Sequence, residues 1–152
     1  MLDLTFQNFT SDKSLKGDFF KKILIAGAGE LGLKDRGIEI SLNLVGESKI
    51  RELNKKYRHK DKATDVLSFP MFGKSEIRNS KFVIHDLGDI FICLPFAKND
   101  AKSENVSIEK KLSQLAAHGF LHLLGYDHEK SQAEARRMFG LESQILKKLK
   151  FK

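Results

Sequence analysis

Ile38-Glu39-Ile40-Ser41-Leu42-Asn43-Leu44 alternates apolar and polar residues without interruption. Side chains of an extended chain point to its two sides in turn, so this is a strand with one face in a core and the other toward water. The flanking sequence decides what covers it. Upstream, residues 14–31 carry Phe19, Phe20, Ile23, Leu24 and Leu31 on one face of a predicted helix. Before that, Leu2, Leu4 and Phe6 alternate with Asp3 and Thr5 as a second strand. Downstream, residues 47–57 read as a short polar helix and residues 65–69 as a brief strand ended by Pro70. Residues 71–86 are mixed and polar, a loop with some extension. Residues 88–93 read as a buried strand stopped by Pro95. Ser107 is placed to cap a helix reaching Leu124, with Glu109 in the first turn, where the helix dipole favours an acid. Gly125 ends it. A last helix over residues 131–148 carries Ala133, Met138, Leu141, Ile145 and Leu149 as its buried stripe. Helices around a small sheet make an α+β architecture, with about five helices on about four strands.

The chain has 152 residues, of which 41% are hydrophobic and 31% charged. That is an ordinary soluble globular composition, long enough to bury a core without staples, and residues 1–152 read as a single domain. It excludes a collagen, a coiled coil, a disulfide mini-protein and a disordered tail. The one cysteine, Cys93, excludes an internal disulfide and reads as a small core residue. Lys and Arg exceed Asp and Glu by 27 to 20, a net charge of +7. The surplus suits a polyanionic partner, either nucleic acid or an anionic membrane surface. Met1-Leu2-Asp3-Leu4 begins with an acid rather than a basic leader, and the longest apolar helical piece, residues 23–28, is too short to span a bilayer. The reading is a cytoplasmic protein with no membrane partner.

Gly27-Ala28-Gly29-Glu30-Leu31-Gly32 matches the dinucleotide-binding pattern literally. The mechanism of that pattern needs a strand before it and a helix opening from it. Here an amphipathic helix precedes it, and only four residues separate Gly32 from Gly37 and the strand beyond. No helix N-terminus is available for a pyrophosphate. The glycines read as a softened helix end, with no nucleotide cofactor.

The chemistry concentrates in His118-Gly119-Phe120-Leu121-His122-Leu123-Leu124-Gly125-Tyr126-Asp127-His128. His118 and His122, four apart, share a helix face about 5–6 Å apart at Cβ. In a continued helix His128 would lie about 9 Å further along the axis. It reaches the other two only if the helix stops, and Gly125 stands where a left-handed turn would stop it. Three neutral imidazoles with an open fourth position describe a catalytic zinc site holding one ion, rather than a closed structural one. The spacing is that of the metzincin proteases, whose pattern places a Glu general base directly after the first His. Gly119 stands there instead, which argues against peptide hydrolysis. His59 and His85 lack such partners and read as exposed or locally bonded, with His59 near the substrate at most. Asp65 and Asp89 read as structural residues of strand starts, and Asp127 as a turn residue rather than an orienting partner for His128.

Asn54-Lys55-Lys56-Tyr57-Arg58-His59-Lys60-Asp61-Lys62 holds five cations against one acid, with Tyr57 and His59 interleaved. This is either a solvated loop after a helix or an electrostatic track for a phosphate backbone, in which Lys55, Lys56, Lys60 and Lys62 would bind RNA. The C-terminal run from Lys147 to Lys152 reads as a frayed helix end.

Residues 53–58, Thr64-Asp65-Val66-Leu67-Ser68-Phe69-Pro70, Leu87-Gly88-Asp89-Ile90 and the histidine segment resemble, in order and spacing, the successive signatures of the YbeY family. The last motif is the most specific, and the first 45 residues carry little of the resemblance. It implies a bacterial, metal-dependent endoribonuclease acting on single strands. It also implies roles in 16S rRNA 3′-end maturation and ribosome quality control, with rRNA and ribosomal subunits as partners. The fold it implies is α+β with a small mixed sheet. By position it makes His118, His122 and His128 the metal ligands and Arg58 the functional arginine. Two other readings stand beside it: a metzincin-like zinc protease, and a non-catalytic ribosome-assembly factor that uses a metal only to hold the loop after Gly125.

Overall fold

The computed structural model describes residues 2–71 and 84–149. The elements run β1 (Leu2–Asn8), α1 (Gly17–Glu30), β2 (Gly37–Val45), α2 (Glu47–Arg58), β3 (Val66–Pro70), β4 (Ile84–Cys93), α3 (Leu94–Glu104), α4 (Ile108–Leu123) and α5 (Gln132–Lys147). The sheet order is β1-β2-β4-β3. β1 and β4 run parallel to β2, and β3 runs antiparallel to β4, so the sheet is mixed and β3 is an edge.

The alternation of β2 works as its pattern requires: Ile38, Ile40, Leu42 and Leu44 are buried in the main core. They meet Phe20, Ile23 and Leu24 of α1 and Leu112, Leu115, Ala116 and Phe120 of α4 in the same cluster. The second face is only partly wet. Asn43 is buried and donates to Ser41 Oγ and to the Ile90 carbonyl. Val45, Ile50, Leu67 and Cys93 form a smaller cluster there, with Leu53, Phe69 and Phe91 around it. Ile50 is the residue that fastens the polar helix α2 to this second face.

Most element ends fall within one to three residues of their sequence reading, the usual scatter of helix and strand ends. Three differences have physical causes. The sequence pattern predicts no helix over residues 94–104, because Pro95 reads as a strand stop, yet α3 forms there. Proline is also a residue with no N–H to lose in a helix's first turn, and here Pro95 occupies that turn. Asn105, left-handed at φ 57°, closes the same helix. Strand β4 takes in residues 84–86, which read as loop; residues 72–83 of that loop lie outside the described residues, as does the side chain of His85. Finally, Ala133 is exposed rather than part of the α5 stripe, which rests on Met138 and Ile145.

One glycine of the dinucleotide-like pattern has a packing reason. Gly27 and Gly29 lie inside α1, and a Cβ on Gly27 would come within 2.8 Å of the Phe120 ring. That glycine lets α1 and α4 approach closely.

Gly88 fixes the edge strand. A register shift opposite Glu39 and Ile40 leaves Leu87 as an extra residue in β4, and Gly88 follows at φ 123°. A Cβ there would stand 2.1 Å from the Phe69 carbonyl oxygen, a backbone atom that cannot swing away. Gly88→Ala is expected to cost on the order of 3 kcal/mol or more, as a strained backbone and a clash combined. A denaturant midpoint equal to the parent's would remove this account of the β3–β4 pairing.

Candidate metal centre

Helix α4 is started by Ser107, whose side chain accepts from the Lys110 N–H. It is stopped by a Schellman motif. The Gly125 N–H donates to the His122 carbonyl and the Tyr126 N–H to that of Leu121, with Gly125 at φ 93°. The chain then turns back. Asp127 Oδ1 accepts from the Glu129 N–H, a turn role. His128 is thereby returned to the histidines of the last helical turns. Ring centroids stand 4.7 Å apart for His118–His122, 5.2 Å for His118–His128 and 5.5 Å for His122–His128. One nitrogen from each ring lies within 4.8 Å of the others, so the three form a group that could hold a metal ion.

The donor set fits such an ion. His118 Nε2 and His122 Nε2 face each other at 3.1 Å. Two nitrogens on one tetrahedral zinc would be about 3.3 Å apart, given bonds of about 2.0–2.1 Å. His128 Nδ1 is buried with no hydrogen-bond partner among the described residues. Buried polar atoms are nearly always satisfied, and a lone pair facing a metal would account for this one. His122 is pushed down to about 4, first by burial and then by the neighbouring His118 and His128 rings, with Arg58 adding to the effect and Asp127 opposing it. Neutral imidazole is the form a metal ligand must take.

A cleft of about 810 Å³ opens over the three histidines, and Arg58, Lys60, Lys62, Val66, Leu67 and Ser68 are on its wall. The reason lies in how α2 ends. His59 is left-handed at φ 60° and caps the helix, so the chain past it changes direction and brings Lys60 and Lys62 to the cleft. Lys55 and Lys56, on the helix itself, do not line it; the Lys56 ammonium lies 5.2 Å from the Tyr57 ring centroid. The nine-residue cationic stretch is therefore split. Arg58 is held in two ways: Nη2 donates to the Ser68 carbonyl at 2.6 Å, and the guanidinium lies 5.5 Å from the Phe69 ring centroid. Asp65 accepts from the Val66 N–H, a local structural contact. At the C-terminal end Lys148 pairs with Glu30 at 3.0 Å, and residues 150–152 of the run that reads as a frayed end lie outside the described residues.

Gly119 does not face the cleft. A Cβ on it would meet Ile90 Cγ2 at 2.9 Å and Ser68 Oγ at 3.1 Å, and its carbonyl accepts from that hydroxyl. The position that carries the general base in metzincins is here pressed against the sheet. One feature of the site had no signal in the sequence. Glu142 of α5 hydrogen-bonds to His118 Nδ1.

The family model described as Endoribonuclease YbeY matches residues 5–150. This chain belongs to the YbeY family. The match reaches well into the first 45 residues, where the sequence alone carried little resemblance. An Endoribonuclease YbeY of Sulfurihydrogenibium sp. is 42% identical over 137 residues, covering 90% of this chain and 86% of the relative. One of Staphylococcus saprophyticus is 40% identical over 148 residues, covering 96% and 95%. Among solved structures, the solution structure of a Thermotoga maritima protein matches at a TM-score of 0.63 and 27% identity, over 97% of this chain and 87% of that one.

Proposed function

We propose that residues 1–152 form a zinc-dependent endoribonuclease that cuts single-stranded RNA, working in the bacterial cytoplasm in 16S rRNA 3′-end maturation and ribosome quality control. Family membership supports the RNA part of this reading, and the ribosomal part is what the resemblance of the motifs implies. The observation that carries the chemistry is the single cleft shared by three convergent imidazoles and the cations Arg58, Lys60 and Lys62. A metal site at the phosphorus and positive charge along the flanking backbone both suit a phosphodiester substrate.

When bound, zinc supplies Lewis-acid chemistry, polarising a phosphoryl oxygen and lowering the pKa of a coordinated water toward ~7. The residues of the chain do the rest. His118, His122 and His128 would hold the ion, and the same three residues are on the wall of the cleft. Arg58, fixed by the Ser68 carbonyl and the Phe69 ring, keeps further N–H donors for a phosphate oxygen. Lys60 and Lys62 attract the neighbouring phosphates, and Lys55 and Lys56 add to the field outside the cleft. A stacked duplex bends too little to bring its backbone to such a recess.

The protease reading meets two obstacles. Gly119 leaves no room for a general base. A peptide substrate would also use the free edge of β3, where the Ser68 carbonyl is already taken by Arg58 and the Val66 N–H by Asp65. Among the described residues no helix is long and apolar enough to cross a membrane.

The test compares single-stranded RNA, duplex RNA and casein with metal-quantified protein. Cleavage of the single strand alone, sensitive to a chelator, is expected. Affinity for that strand should fall with salt at a log–log slope of about −2, from three cleft phosphates at ~0.7 each. Lys60→Ala and Lys62→Ala should each reduce the slope by about 0.7, and Lys55→Ala and Lys56→Ala by less. Chelator-sensitive degradation of casein with RNA left intact would reverse the assignment.

A further inference from the structure

Glu142 sits 24 residues beyond His118 in sequence, and its carboxylate accepts from His118 Nδ1. The other ring nitrogen, Nε2, faces His122 Nε2 at 3.1 Å. An imidazole that donates from Nδ1 carries its lone pair on Nε2, the side on which the other ligand nitrogens gather. The contact is well shielded, with the His118 and Glu142 side chains 20% and 15% exposed. It is therefore unlike the surface pairs that water and salt dissolve. Its position follows from packing. Met138 and Ile145, one helical turn to either side of Glu142, are both fully buried and fix the rotation of α5.

We propose that Glu142 is a positioning residue of the metal centre. It sets the tautomer and ring orientation of His118, and so couples the docking of α5 to metal affinity. The proposal rests on the reading of the three histidines as metal ligands. It competes with a plainer role in which Glu142 only pins α5 to α4.

Zinc affinity is measured by competition with a chromophoric chelator for the parent, Glu142→Ala, Glu142→Asp, Glu142→Gln and His118→Ala proteins. Thermal melts of the metal-free proteins run alongside. Glu142→Ala should bind zinc about 10–100-fold more weakly, the usual cost of losing a partner behind a metal-bound imidazole. Glu142→Asp, charged but one methylene short, should weaken binding similarly and decides the matter if the alanine variant does not fold. Glu142→Gln keeps an acceptor oxygen and should recover most of the affinity. Cobalt(II)-loaded Glu142→Ala should show shifted visible bands, since the ring it releases is a ligand. Unchanged zinc affinity in the alanine or aspartate variant overturns the proposal. So does a loss shared equally by glutamine and alanine that tracks the melting temperature of the metal-free protein. If the parent binds no zinc, or His118→Ala binds it as well as the parent, the metal reading itself has failed, a result distinct from either.

Discussion

His118→Ala and His122→Ala are each expected to abolish tight zinc binding while leaving the fold intact. Losing a partner behind a ligand typically costs 10–100-fold in metal affinity, so losing the ligand itself should cost more than ~100-fold. The fold should survive because its core does not depend on the site. Phe120, Leu121, Leu123 and Leu124 are buried beside the histidines, and the sheet is covered on one face by α1 and α4 and on the other by α2. The same variants have a pH signature without metal. His122 titrates near 4 in the fold against an ordinary 6.5. Between these values the unfolded chain binds more protons than the folded one. The metal-free parent should therefore have this contribution in full above pH 6.5 and lose it as pH falls toward 4. His122→Ala should flatten that part of the stability profile. Metal content by elemental analysis and denaturant melts across that window make the measurement, and undiminished zinc in both variants would dismiss the site.

Why the site was largely legible in one dimension, and the rest of it not, comes down to range. His118, His122, Gly125 and His128 are local: a helical repeat, a stop and a return. Each step is fixed by backbone geometry that a sequence displays. Arg58 and Glu142 are held by tertiary contacts, with the β3 edge for one and α5 docking for the other. In the sequence Arg58 is one cation of the five in residues 54–62, singled out only by resemblance. Glu142 has no signal at all, since an acid on a mostly exposed helix has no distinguishing pattern. The cationic stretch shows the same limit at short range. Its composition was plain, but the left-handed His59 that separates Lys60 and Lys62 from Lys55 and Lys56 carries no glycine or proline to announce it. Pro95 misled in the other direction, because one residue type both ends strands and begins helices. In β2 the alternation correctly marked the core face. It could not reveal that α2 would cover part of the second face, so that Asn43 needed an internal partner in the Ile90 carbonyl.

Arg58→Ala is expected to lower kcat on single-stranded RNA by on the order of 10²–10³, the loss usual for a donor aimed at developing charge. Arg58→Lys should restore only part of it. The guanidinium is planar and forked, which lets one nitrogen stay on the Ser68 carbonyl while others meet a phosphate oxygen. A lysine ammonium is a point charge on a flexible stem, and if it reaches the carbonyl it is drawn away from the substrate. The arginine's place also argues for a role at the reacting centre rather than along the track. Its charge is felt at His122, where it helps hold the imidazole neutral. The same cleft is lined by Arg58 and by the three histidines, which puts the guanidinium and the metal ligands on one substrate path. The measurement is a split of kcat from KM for both variants, with a thermal melt to register the loss of the β3 edge contact. A fall in kcat that exceeds the rise in KM, with lysine between alanine and the parent, is the expected pattern. Turnover at the parent's level with only weaker RNA binding would move Arg58 to the same electrostatic role as Lys60 and Lys62. The metal-side residues would then carry the charge stabilisation alone.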